Sequence, residues 1–178
     1  MALCPCGACV LSLKPVMLIH TLDQAISKQA ITALQKALGD RLLAVILFGS
    51  RARGEVSPDS DWDLLVIAEG LPERLFERHM FLKRLLPPGC RGAVSLIART
   101  PEELEAHLPS LFLDIAVDGK ILYDPRAYAA RRLATLRQLI EESGLYRQRT
   151  EAGDVWQWKK EPCGPWALKV EKERSLYY

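Results

Sequence analysis

The sequence has no apolar run approaching the ~18 residues that a membrane-crossing helix needs, which excludes an integral helical membrane protein. It has no excess of charge of one sign. Its 24 basic and 22 acidic residues leave a formal charge of +2 and are interspersed, so a general nucleic-acid coat is not implied. A secretory signal is also lacking: no positive charge precedes the first apolar stretch, and Lys14 and Pro15 break it. The five cysteines (Cys4, Cys6, Cys9, Cys90 and Cys163) are odd in number and read as thiols of a reducing cytoplasm. Cys4, Cys6 and Cys9 crowd together, but a zinc site needs a fourth ligand that no pattern places. The alternative for residues 1–17 is a disordered leader, or an over-long start ahead of Met17. Histidine is scarce. His20, His79 and His107 read as surface or satisfied polar side chains, and no Ser-His-Asp or Cys-His arrangement has local support. Glycine and proline number 11 each, which signals neither disorder nor repeats.

What is present is ordinary globular material. At 178 residues, 49% hydrophobic and 26% charged, the chain is long enough for one domain with a real core. A helix is predicted from Thr21 to Leu38, with a capping box at Thr21 and Gln24 and Leu22, Ile26, Ala30, Leu34 and Leu38 on one stripe. Leu42 to Phe48 is an unbroken apolar run, as a strand covered on both faces would be. A second strand is predicted over Asp61 to Ile67 and a third over Ala93 to Ala98. Between them a helix from Pro72 to Leu86 carries Leu71, Leu75, Leu82 and Leu86 as apolar positions. Thr100-Pro101-Glu102-Glu103 opens a capped helix, and a second helical piece follows Pro109. A short strand is predicted at Lys120 to Tyr123 and a last helix from Arg126 to Ser143. Strands alternating with helices give an α/β or α+β domain around one small mixed sheet, over residues 18–145. Residues 146–178 hold Trp156, Trp158 and Trp166 without a helical stripe. They read as a C-terminal arm that packs back on the domain or meets a partner.

The chemistry concentrates in Phe48-Gly49-Ser50-Arg51-Ala52-Arg53-Gly54 and Asp59-Ser60-Asp61-Trp62-Asp63-Leu64-Leu65-Val66. Side chains two apart on a strand point the same way, so Asp61 and Asp63 aim together. Two carboxylates at the head of a buried strand repel each other and resist desolvation. They want a cation, and an oxygen-only pair suits Mg2+ (or Mn2+) completed by water and substrate phosphate. Gly49 lets the chain turn tightly and a ligand approach. Ser50 offers a hydroxyl and an amide to phosphate, and Arg51 and Arg53 add charge-assisted contacts. A phosphate cradle beside a metal clamp points to nucleotidyl transfer.

Gly49-Ser50, ten intervening residues and Asp61-x-Asp63 together resemble the signature of the minimal nucleotidyltransferases of the DNA polymerase β-like nucleotidyltransferase superfamily. The resemblance spans about Thr21 to Tyr123. It implies a small mixed sheet flanked by helices, an NTP (ATP foremost) held through Gly49 and Ser50, and Mg2+ held by Asp61 and Asp63. It also implies AMP transfer to a hydroxyl of a protein partner or small molecule. Several such minimal proteins are antitoxins that adenylylate a tyrosine of a HEPN-type toxin. One departure stands out. The third carboxylate of active members falls on a later strand, and here that strand reads Ala93-Val94-Ser95-Leu96-Ile97. Ser95 is neither an anionic ligand nor a base at neutral pH. Asp114 and Asp118 are the nearest downstream acids. Two readings follow: a metal-dependent nucleotidyltransferase, or a nucleotide- or partner-binding module that kept the fold and lost turnover. Nucleic-acid polymerisation is the weaker third. The acceptor, the base of the nucleotide and any homo-oligomer stay open.

Overall fold

Strand β1 (Leu42–Phe48) is buried along six of its seven residues because helices cover both its faces. The computed structural model describes residues 15–57, 60–106, 108–150 and 153–160, with side chains of the first helix from residue 25 onward. The cysteines near the start, His107, Asp59, Cys163 and Trp166 lie outside these, as does the side chain of His20.

Helix α1 (Pro15–Leu38) ends in a short 3-10 turn, Gly39–Arg41, and leads into β1. Helix α2 (Gly49–Arg53) follows at once. Then come β2 (Trp62–Ala68), α3 (Leu75–Leu85), α4 (Pro88–Arg91), β3 (Val94–Arg99), α5 (Pro101–Ala106), α6 (Ser110–Asp118) and β4 (Lys120–Tyr123). Helix α7 (Tyr128–Glu142) precedes a separate hairpin, β5 (Leu145–Thr150) and β6 (Gly153–Trp158). The main sheet has the order β3-β2-β1-β4. β1 runs antiparallel to β2 and β4, and β2 runs parallel to β3. This is the mixed sheet expected, with helices on both faces.

Strand alternation sorts the core into two halves. Val45, Leu47, Leu64 and Val66 pack with Leu34 of α1, Leu82 of α3 and Cys90 of α4. Ile46, Leu65 and Ile67 pack on the other side with Phe112 and Ile115 of α6 and Leu133 and Leu136 of α7. Asp63 shares the parity of Leu65 and Ile67, so it belongs to the α6 side of the sheet.

Two helix starts differ from the pattern in the sequence. α1 begins ahead of Thr21, so Thr21 and Gln24 lie inside the helix rather than at its start. α3 begins at Leu75, because the backbone of Arg74 at the N-cap position is extended; Leu71 is buried ahead of the helix. Leu75 is 63% exposed and Phe76 75% exposed, so Leu75 is not a core position. Apolar spacing at 71, 75, 82 and 86 carried it into the stripe, but Leu75 is the first residue of α3 and Leu71 lies ahead of it, so the two do not share a helix face. The C-terminal arm forms a hairpin through residue 158, with Trp156 and Trp158 on one face as their alternation suggests.

Candidate active site

The ends of β1 and β2 meet in one row. Phe48 pairs with Asp63 across the antiparallel ladder, and Asp63 pairs with Ser95 across the parallel one. Asp63 therefore stands at the centre of the sheet edge, with the glycine turn on one flank and Ser95 on the other. Gly49 adopts a φ of +73°, a region that only glycine enters without strain. A Cβ built there would lie 2.3 Å from Asp63 Oδ2. The glycine is thus required twice, for its backbone angle and for the room it gives the carboxylate. Gly54, at φ 82°, closes α2, and its N–H donates to the Ser50 carbonyl.

Asp63 is half-buried and Asp61 is exposed. Burial pushes the Asp63 carboxyl above the ordinary carboxylate range, a hydrogen bond from Ser95 opposes this, and the Asp61 charge adds to the rise. The pair is therefore close enough to repel, as two carboxylates waiting for a cation are. The donor set, two carboxylates and no nitrogen or sulfur, fits a hard divalent ion whose shell is completed by water and phosphate. Among the described residues, no group of three or more His, Cys, Asp or Glu could hold a metal ion. Ser95 sits in the register position beside Asp63 where the third acid was looked for, and there it donates to that carboxyl.

The two arginines part company. Arg51 turns back onto the loop before β2. Its Nε and Nη2 donate to the Ser60 carbonyl at 3.0 and 2.6 Å, and Nε also reaches the Asp61 carbonyl at 3.1 Å. Its guanidinium lies 4.8 Å from the Trp62 ring centroid, a cation–π distance. Arg51 thus fixes the backbone that presents Asp61. Arg53 instead lines a cleft of about 560 Å3 together with Phe48, Gly49, Asp114, Asp118 and Arg149. Its Nε donates to Glu55 Oε2 at 2.9 Å.

Asp114 and Asp118 lie on this cleft, but both are engaged. Arg147 of β5 grips Asp118 with two hydrogen bonds of 2.5 and 2.9 Å. Asp114 accepts from the Trp156 indole at 2.9 Å and lies 3.5 Å from Arg147. They bind the hairpin to α6 and do not join Asp61 and Asp63. His79 is exposed on α3, remote in sequence and element from this edge. The sequence reading missed Glu55, Arg147 and Arg149. Strand alternation puts Arg147 and Arg149 on one face, but nothing local in the sequence ties them to Glu55 or to the acids of α6.

Comparison with known proteins places the chain in a family. A family model described as a nucleotidyltransferase domain matches residues 27–123. Over 129 residues the chain is 33% identical to MJ1305 of Methanocaldococcus jannaschii, named as a protein adenylyltransferase, which covers 70% of this chain and 84% of that protein. It is 31% identical over 86 residues to the protein adenylyltransferase MntA of Aphanizomenon flos-aquae, covering 47% of this chain and 57% of that one. A chain in the solved structure of tri-AMPylated Shewanella oneidensis HEPN toxin in complex with MNT antitoxin is similar at 18% identity. It covers 67% of this chain and 87% of its own length, with a TM-score of 0.47.

Proposed function

Since the chain belongs to the nucleotidyltransferase domain family, we propose that it moves AMP from ATP to a hydroxyl of a protein, with Asp61 and Asp63 as ligands of Mg2+ (or Mn2+). The observation that carries this reading is the close approach of Asp63 to Gly49, where any Cβ would meet the carboxylate, which sets the glycine turn beside the metal-suited acid. In this reading the Ser50 hydroxyl and amide and the Arg53 guanidinium hold the phosphates. A divalent ion, when bound, supplies charge neutralisation at the α-phosphate. The acceptor oxygen bonds to the α-phosphorus, the bond to the outer two phosphates breaks, and diphosphate leaves. Ser95 keeps the Asp63 carboxyl oriented, and Arg51 keeps Asp61 in place. The acceptor's proton passes to solvent at the exposed side of Asp61, since Asp118 and Asp114 are held by Arg147 and Trp156. The names of the relatives support a protein acceptor. The motif resemblance makes a tyrosine of a HEPN-type toxin the acceptor to try first, in a reducing cytoplasm where ATP is abundant. Among the described residues, no helix is long and apolar enough to cross a membrane.

The replacement of the third acid by Ser95 favours one competitor, a binding module without turnover. Incubation with labelled ATP and cell extract, with and without Mg2+, separates them. A labelled protein that depends on Mg2+ supports the transferase; saturable partner binding without label supports the module. The site itself is tested by Asp61→Asn with Asp63→Asn. The double variant should stay folded and lose Mg2+-dependent ATP binding, and normal binding would remove the assignment.

A further inference from the structure

Glu55 joins the glycine turn to the C-terminal hairpin. One carboxylate oxygen accepts from Arg53 Nε at 2.9 Å, and the other lies 2.8 Å from Arg149 Nη2. Both guanidiniums line the same cleft as Gly49. Two arginines against one carboxylate leave a net positive lip. Asp114, Asp118 and Asp154 line the cleft as well and lie against Arg147, with Asp154 opposite Arg149 on the hairpin ladder, so the cleft carries both signs. The hairpin is fixed there by its Arg147 grip on α6 and by Trp156. A volume of about 560 Å3 falls in the range that encloses a nucleotide-sized ligand. The hairpin lies beyond the segment that the family model matches, so its contribution is not part of that match.

We infer that the hairpin is the far wall of the nucleotide cleft and that Arg149, aligned with Arg53 by Glu55, binds the outer phosphates of the nucleoside triphosphate. The inference rests on the nucleotidyl-transfer reading and assigns the side chain that senses the length of the phosphate chain. A guanidinium at this lip matches the oxygens of a terminal phosphate in bidentate fashion. It has no role toward a ligand with a single phosphate seated at Gly49 and Ser50.

Calorimetric titration of the full chain with Mg-ATP, inorganic tripolyphosphate and AMP tests it. Arg149 is largely exposed, at 77% of its side-chain surface, so Arg149→Ala should keep the wild-type Tm. We expect it to weaken Mg-ATP and tripolyphosphate about tenfold, at the low end for a hydrogen bond to a charged group, and AMP less than twofold. Arg149→Lys should recover part of the loss. Unchanged Mg-ATP affinity in Arg149→Ala, or an equal loss for AMP, overturns the inference while leaving the transferase reading intact. A wild-type chain that binds none of the three overturns that reading itself.

Discussion

The surroundings of Asp63 disfavour its charge. Its carboxyl titrates above the ordinary range because it is partly desolvated and faces Asp61. A group whose folded pKa is raised binds protons better in the folded state, so its ionisation detracts from stability as pH rises through that value. Asp63→Asn removes this cost while keeping an acceptor for Ser95. Its Tm without nucleotide is expected to rise by about 2 °C at neutral pH, what ~0.5–1 kcal/mol gives in a chain of this size once screening on the open side is allowed for. Gly49→Ala makes the opposite change. It forces a side chain to φ +73° and into Asp63. We expect a loss of more than about 1 kcal/mol in denaturant melts, together with loss of Mg2+-dependent ATP binding. A variant with wild-type melts and wild-type binding would mean the turn tolerates a Cβ.

At the scale of elements, the hairpin hangs on Arg147. Its guanidinium lies within 3.6 Å of three carboxylates, Asp114, Asp118 and Asp154, and its pKa is pushed further up by the Asp118 hydrogen bonds. Arg147→Ala should release β5 and β6 from α6. Hydrogen exchange over residues 145–158 is expected to speed up by about tenfold or more, with amides of β1 and β2 unchanged. Equal speeding in β1 would show that the hairpin supports the whole sheet. The elements that the sequence announced are those with a period and a punctuation mark. Leu42 to Phe48 was legible because it is uniformly apolar and stops at Gly49, and Ser95 because the family resemblance expects an acid on the strand that holds it. The capping box at Thr21 misled because local cap chemistry cannot tell an end from a helix that continues. Leu75 misled because four-residue spacing does not say where a helix begins. The hairpin's role was hidden because it rests on pairs such as Arg149 with Glu55 and Arg147 with Asp118, which lie far apart in sequence. No local pattern joins them.

For the molecule as a whole, acid stability follows from the carboxylates on which elements are pinned. Arg78 is buried at 3% exposure and bonds both oxygens of Glu103 at 2.6 and 2.8 Å, as well as the Pro72 and Ala98 carbonyls. It ties α3 to the start of α5. Hydrogen bonding from Arg78 holds Glu103 below the usual carboxylate range, and Thr100 and Arg53 do the same for Glu102 and Glu55. Groups with depressed folded pKa values stabilise above the unfolded value of ~4.3 and lose that contribution as pH falls through the folded one. Tm should therefore decline below about pH 4. Glu103→Gln should lower the neutral-pH stability by about 2 kcal/mol, less than the ~3–5 for a fully enclosed pair because solvent reaches Glu103, and should flatten the acid decline. A variant with an unchanged acid profile would place the sensitivity elsewhere.

The order of the chain gives the hairpin a further consequence. A ribosome delivers the glycine turn and both aspartates early, and β5 and β6 much later. The four-stranded sheet contains neither β5 nor β6, so all strands of the sheet edge are synthesised before its opposite bank. The unfinished chain then resembles an open bench rather than a trench. On the role proposed for Arg149, the grading of polyanions by length would arrive with the final strands, after Asp61 and Asp63 have been made.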